Sequence, residues 1–172
     1  MRYSSINTCE CTNGLGWGVS LFTQGCPIHC KGCFNPETWD FDGGKELTNY
    51  QESQIYKALN PDYITRFSVL GGEPLIESNL KQLNHILCTI KSNHPDIKIW
   101  IWTGYTWDEL QKMKKKYPDE LLITFKYTDY LVCGPFIEEK KDLTLKWKGS
   151  YNQQIVDLQA TGKNKIPVII FE

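Results

Sequence analysis

A chain of 172 residues, 41% hydrophobic and 23% charged, has the composition of one soluble globular domain with enough apolar residues to bury a core. Its formal net charge of -1 argues against a nucleic-acid binder, and no run approaches the roughly 20 consecutive apolar residues that cross a bilayer. The start, Met1-Arg2-Tyr3-Ser4-Ser5-Ile6, lacks an apolar stretch with a small-residue cleavage site, so the expected setting is a reducing cytoplasm, where seven cysteines point to metal or redox chemistry.

Cys9 and Cys11, one residue apart, read as incidental thiols in a mobile arm ahead of the first strand. That strand is expected over Gly18 to Thr23 and runs straight into Cys26-Pro27-Ile28-His29-Cys30-Lys31-Gly32-Cys33. Three cysteines so close cannot pair evenly as disulfides. Three soft thiolates suit a four-iron cluster that keeps one iron free for a ligand that is not protein. A structural zinc site closes its tetrahedron with a fourth Cys or His. Zinc competes because His29 lies inside the loop, although adjacent residues rarely address one metal from a tight turn.

Further on, Thr48 and Gln51 form a capping box that opens a helix over about Asn49 to Leu59. Arg66 to Leu70 reads as a strand ended by Gly71-Gly72-Glu73-Pro74. Leu80, Leu83, Ile86, Leu87 and Ile90 recur at helical spacing between Ser78 and about Lys91. Ile97 to Trp102 is a β-rich run stopped by Thr103-Gly104, with Trp100 and Trp102 on one face, where core packing is the default. Thr106 and Glu109 cap the next helix, and Lys114, Lys115 and Lys116 suit its carbonyl end. A strand at Tyr130 to Cys133 ends in Gly134-Pro135-Phe136, and β-like runs follow near Gln154 to Leu158 and Val168 to Phe171. Cys88 and Cys133 read as small buried hydrophobes, and His85 and His94 have no ligand-spaced partner. Trp147-Lys148-Gly149-Ser150 reads equally as a substrate contact or as a turn.

Strand–helix alternation implies an α/β fold with right-handed crossovers. The expectation is a single domain over residues 1–172, a partial, open (βα) barrel of about five or six mostly parallel strands. The cysteine loop, Gly-Gly-Glu-Pro, Thr-Gly-Tyr and Gly-Pro-Phe each follow a strand, so all four should meet at the carboxyl edge, where parallel sheets bind ligands.

Cys26-x3-Cys30-x2-Cys33 followed by Gly71-Gly72-Glu73-Pro74 resembles the radical S-adenosylmethionine superfamily. The resemblance implies a [4Fe-4S] cluster on Cys26, Cys30 and Cys33, its free iron chelated by the amino and carboxylate groups of S-adenosylmethionine. One electron passed to the sulfonium would then release methionine and a 5′-deoxyadenosyl radical, a chemistry needing no acid–base residue. It also implies cosubstrate contacts from Gly71, Gly72, Glu73 and Pro74, with Gly32, Phe34, Thr103 and Gly104 completing the set. Phe34 is a candidate to lie against the adenine or to anchor the loop as a core aromatic.

Asn13-Gly14, Gln24-Gly25-Cys26, Gly32-Cys33-Phe34-Asn35-Pro36-Glu37-Thr38-Trp39, Trp102-Thr103-Gly104-Tyr105-Thr106, Gly134-Pro135-Phe136 and Asn152-Gln153 bring the match closer. From about Asn7 to about Asp157 the chain is similar to the small activating enzymes of anaerobic ribonucleotide reductase. That resemblance implies a protein substrate, one glycine near the carboxyl end of the large reductase subunit, and a one-electron donor such as a flavodoxin or ferredoxin. The alternatives are a radical S-adenosylmethionine enzyme acting on another glycyl-radical enzyme or a small molecule, and a plain iron–sulfur electron carrier. Such a carrier closes its cluster with a fourth cysteine, and Cys9, Cys11, Cys88 and Cys133 lack the spacing for it.

Overall fold

Period-two alternation sorts the side chains of the central strands onto two unlike faces in the computed structural model, which describes residues 1–162 and 166–171. The single-domain expectation also takes in residues 163–165 and 172, which lie outside the described residues. Strands β1 (Arg2–Glu10), β2 (Trp17–Thr23), β3 (Lys45–Glu46), β4 (Ile64–Gly71), β5 (Lys98–Thr103), β6 (Tyr130–Cys133), β7 (Gln154–Asp157) and β8 (Val168–Ile170) form one open mixed sheet. Its order is β3-β1-β2-β4-β5-β6-β7-β8. Only β2, β4, β5 and β6 pair in parallel, and β1, β3, β7 and β8 add antiparallel flanks.

Val19, Leu21, Phe67, Val69, Ile99, Ile101 and Leu131 share one buried cluster with Leu80, Leu83, Ile86, Leu87 and Ile90 of helix α2 (Glu77–Asn93). Helices α1 (Asn49–Ala58), α3 (Trp107–Lys116) and α4 (Pro118–Tyr127) add Ile55, Leu110 and Leu121 to it. Burying each such aliphatic side chain is worth about 1.5–3 kcal/mol, so this face carries most of the apolar stabilisation. The opposite face is different in kind. Ser20, Ser68 and Arg66 alternate with the first set, and Trp100, Val132 and Ile155 form a smaller cluster joined by Trp102, Tyr130, Trp147 and Ile170.

Arg66 is fully buried and its guanidinium lies 2.7 Å from Glu10 Oε1. It also donates to the Glu10 carbonyl at 3.1 Å, to the Asn13 carbonyl and to Ser68 Oγ. Glu10 Oε2 in turn accepts from the Thr12 N–H (2.6 Å) and Asn13 N–H (3.0 Å). Buried charge is tolerable only when paired and hydrogen-bonded, and here one ion pair locks the β1–β2 hairpin turn onto β4.

Several expectations change. Among the described residues the sheet has eight strands rather than five or six, and its parallel run is limited to four of them, so the alternating pattern describes only the centre. The strand expected first is β2; β1 precedes it and carries Cys9, which is exposed on a paired strand and not in a mobile arm. Its polar sequence gives little β signal and is held by pairing with β2. Helix α4 was not foreseen, although Pro118 at its first turn with Asp119 and Glu120 is a start signal. The run Gln154 to Leu158 ends one residue early, at Asp157, whose side chain caps the short helix α5 (Leu158–Thr161). Cys133 is buried as expected, whereas Cys88 is only half-buried, its thiol 3.8 Å from the Tyr127 hydroxyl. The capping residues behave as read: Glu109 N–H donates to Thr106 Oγ1 at 3.3 Å, and Gln51 Oε1 accepts from the Thr48 N–H at 3.2 Å.

Candidate functional site

Because β2, β4, β5 and β6 are parallel neighbours, the loops leaving their carboxyl ends are brought side by side. They border a cleft of about 550 Å³ on the face away from the helices. Cys26, Cys30, Cys33, Phe34, Gly71, Gly72, Glu73, Thr103 and Gly104 all line it. Gly32 and Pro74 do not contribute to the wall: Gly32 (φ +70) packs beside Glu138, and Pro74 is buried behind the Gly-Gly turn.

The cysteine loop is seated by its own flank. Gly25 N–H donates to the Thr38 carbonyl (2.8 Å) and Cys26 N–H to the Trp39 carbonyl (3.2 Å). His29, with φ +51, stacks its ring on Trp39 at 4.6 Å and 16°. The three loop cysteines are free and half-buried. Burial pushes the Cys26 thiol up, against backbone N–H groups of Ile28 and His29 that favour the thiolate. Burial does the same to Cys30, against the Phe136 N–H, and the neighbouring Cys33 raises it further. Asn35 N–H lies 3.3 Å from Cys33 Sγ. Each sulfur therefore meets at least one backbone N–H, the arrangement that stabilises anionic sulfur on a soft metal. Among the described residues, no three His, Cys, Asp or Glu side chains converge as closely as a single metal ion would need. Cys9 and Cys11 are exposed, and neither they nor Cys88 and Cys133 line the cleft.

The glycine pair serves close packing. Gly72 N–H donates to the Thr23 carbonyl (2.8 Å) and Glu73 N–H to the Gly25 carbonyl (2.9 Å). A Cβ on Gly72 would lie 2.5 Å from the Gly25 carbonyl oxygen, so only glycine lets this turn meet the backbone that enters the cysteine loop. Glu73 is buried and joins β4 to β5. Its Oε1 accepts from the Thr103 hydroxyl (2.7 Å) and Leu75 N–H (2.9 Å), and its Oε2 from Gly104 N–H (2.8 Å). Burial outweighs these donors and pushes its carboxyl up to about 7.

The rest of the wall includes residues that the sequence did not single out, such as Asn7, Thr12 and Leu143, beside Trp147-Lys148-Gly149, which it did. Asn7 and Thr12 enter from the β1–β2 hairpin beside Asn13. Leu143, Trp147, Lys148 and Gly149 enter from the strap formed by residues 137–150. The strap is tied to the cysteine loop by Lys31, whose Nζ lies 3.0 Å from Glu138 and 3.4 Å from Glu139, and just ahead of the strap Phe136 packs on Phe34 at 5.0 Å. Trp147-Lys148-Gly149-Ser150 thus turns the chain, and its first three residues face the cleft while Ser150 is buried. For Asn7 the only available signal is strand alternation, which required knowing that β1 exists.

A loop of three thiols at the carboxyl edge of parallel strands is the hallmark of a cluster-binding α/β domain, and residues 12–156 match the family described as a 4Fe-4S single cluster domain. The chain is 37% identical over 157 residues to the anaerobic ribonucleoside-triphosphate reductase-activating protein of Vibrio cholerae serotype O1, covering 90% of this chain and 97% of that protein. It is 34% identical over 161 residues to the protein of the same name from Escherichia coli strain K12, covering 92% and 100%. The namesake from Enterobacteria phage T4 is 32% identical over 157 residues, covering 90% and 93%. The chain belongs to this family of anaerobic ribonucleoside-triphosphate reductase-activating proteins. Among the described residues no helix is long and apolar enough to cross a membrane.

Proposed function

We propose that this chain activates an anaerobic ribonucleoside-triphosphate reductase by installing a glycyl radical on its large subunit, using a [4Fe-4S] cluster and S-adenosylmethionine. The observation that carries the reading is the meeting of three free, N–H-solvated thiols with the Gly71-Gly72 and Thr103-Gly104 turns in one cleft. Cys26, Cys30 and Cys33 are the cluster ligands, and the thiolate chemistry of the loop fits that group. Held by these three thiolates, such a cluster would supply the single electron needed for reductive cleavage of the sulfonium of S-adenosylmethionine, the chemistry from which a hydrogen-abstracting radical for the partner's glycine would come.

The chain's own residues bind and orient. Glu73 fixes the Thr103-Gly104 turn next to the Gly72 backbone, giving the cosubstrate a rigid edge beside the cysteines. Phe34 and Phe136 offer an aromatic wall for an adenine, with Lys141 Nζ 5.1 Å from the Phe34 ring. The one-electron donor is a flavodoxin or ferredoxin, and the setting is cytoplasmic. The test is co-incubation of reconstituted protein, S-adenosylmethionine, a one-electron reductant and the reductase. A glycyl doublet in electron paramagnetic resonance is the expected result, and its absence with the cluster intact overturns the reading.

A further inference from the structure

Trp147 sits in the left-handed backbone region, at φ +59, which a bulky residue adopts only where its surroundings over-determine it. Its carbonyl accepts the Trp102 indole N–H at 2.8 Å. Its ring packs edge-on to Trp100 at 5.3 Å on one side and to Phe171 at 4.8 Å and 79° on the other. Two residues on, Gly149 is so tightly held that a Cβ there would lie 2.9 Å from Phe34 and 3.0 Å from Phe136. Trp147 is therefore the keystone of the strap's cleft-facing end.

One of its supports comes from outside the residues that match the family. The family match ends at residue 156, and Phe171 follows β8, which pairs antiparallel with β7 in the register Ile155 with Ile170 and Asp157 with Val168. Val168 N–H also donates to the Thr161 hydroxyl at 2.9 Å, and Ile170 enters the small aromatic cluster. These contacts deliver the Phe171 ring to Trp147. Phe171 is itself 43% exposed at the end of a three-residue edge strand, so its contribution to global stability is small.

We propose that the carboxyl-terminal segment is a clasp: Phe171 is a positioning residue that fixes Trp147 and so sets the Trp147–Gly149 wall against the bound cosubstrate. The inference deepens the activase reading, since S-adenosylmethionine is the molecule that the wall would enclose. Its test has two arms, of which only the second depends on that reading.

In the first arm, amide hydrogen exchange is measured by mass spectrometry on cluster-free Phe171→Ala, Phe171→Tyr and unchanged protein. Exchange in residues 137–150 is expected to rise about ten-fold in Phe171→Ala, to return in Phe171→Tyr, and to stay unchanged in α2. In the second arm, calorimetry of S-adenosylmethionine with reconstituted protein is expected to show affinity about five-fold weaker in Phe171→Ala. Cleavage rate at saturating cosubstrate should stay within about two-fold, and Phe171→Tyr should restore the affinity. Unchanged exchange in the strap, or faster exchange throughout the molecule, overturns the clasp. Faster strap exchange with unaltered cosubstrate affinity overturns the positioning role. Unchanged protein that binds no S-adenosylmethionine overturns the activase reading and leaves the first arm to decide the clasp.

Discussion

Gly72 leaves no space for a side chain, because the nearest atom is a backbone oxygen of Gly25 that cannot rotate away. Gly72→Ala is expected to cost about 2 kcal/mol, the range of overpacking at a rigid contact, and to displace the entrance of the cysteine loop. Denaturant midpoint and iron per chain after reconstitution should both fall. Cys26→Ala, Cys30→Ala and Cys33→Ala are each expected to lose most of the bound iron, whereas Cys9→Ser and Cys11→Ser, whose thiols face solvent, should keep it. Iron analysis and the visible spectrum check both halves. At this scale the sequence was informative but not complete. The cysteine spacing and the glycine pair stand out in the bare chain, yet the backbone that Gly72 must approach lies 47 positions earlier, and no local pattern reveals it. The same holds for Glu73, whose partners Thr103 and Gly104 lie at the end of another strand and just beyond it.

The β1–β2 hairpin depends on one ion pair more than on its own β-propensity. Burial pushes the Glu10 carboxyl up, but hydrogen bonds from Ser20, Arg66 and Thr12 outweigh that and hold it down to about 2. A depressed carboxyl contributes stability that is full above its unfolded value of 4.5 and is lost as pH falls through that value toward about 2. Glu10→Gln is therefore expected to flatten the acid limb of the stability curve. Near neutral pH it should cost about 3 kcal/mol, because fully buried Arg66 loses its counter-charge. Denaturation midpoints across that pH window measure both effects. Elements announced by caps or long periodicity, such as α1, α2 and α3, were legible because those signals are local. β1 and β3 were not, since each exists by pairing with a neighbour: β3 has only Lys45 and Glu46, both exposed.

At the scale of the whole molecule, strand–helix alternation correctly placed four motif-bearing loops at one edge, because strands that pair in parallel all end at the same edge of the sheet. It overstated how far the parallel pattern extends. The flanking strands β1, β7 and β8 return antiparallel, and hairpin closure, unlike a crossover, is decided by turns and by contacts with distant residues. The strap was legible only as isolated motifs, Gly134-Pro135-Phe136 and Trp147-Lys148-Gly149, since its course is set by Lys31 and Phe34 of the cysteine-loop segment and by the distant Phe171.

Helices cover one side of the sheet, and the other is screened by loops alone, with the three thiols only half-buried at its rim. A rim that leaves the thiols half-buried is open to dioxygen. An incompletely ligated cluster seated there would be attacked by air as readily as it is approached by its cosubstrate. The same opening that leaves the thiols half-buried thus makes exclusion of dioxygen a condition for keeping such a cluster intact.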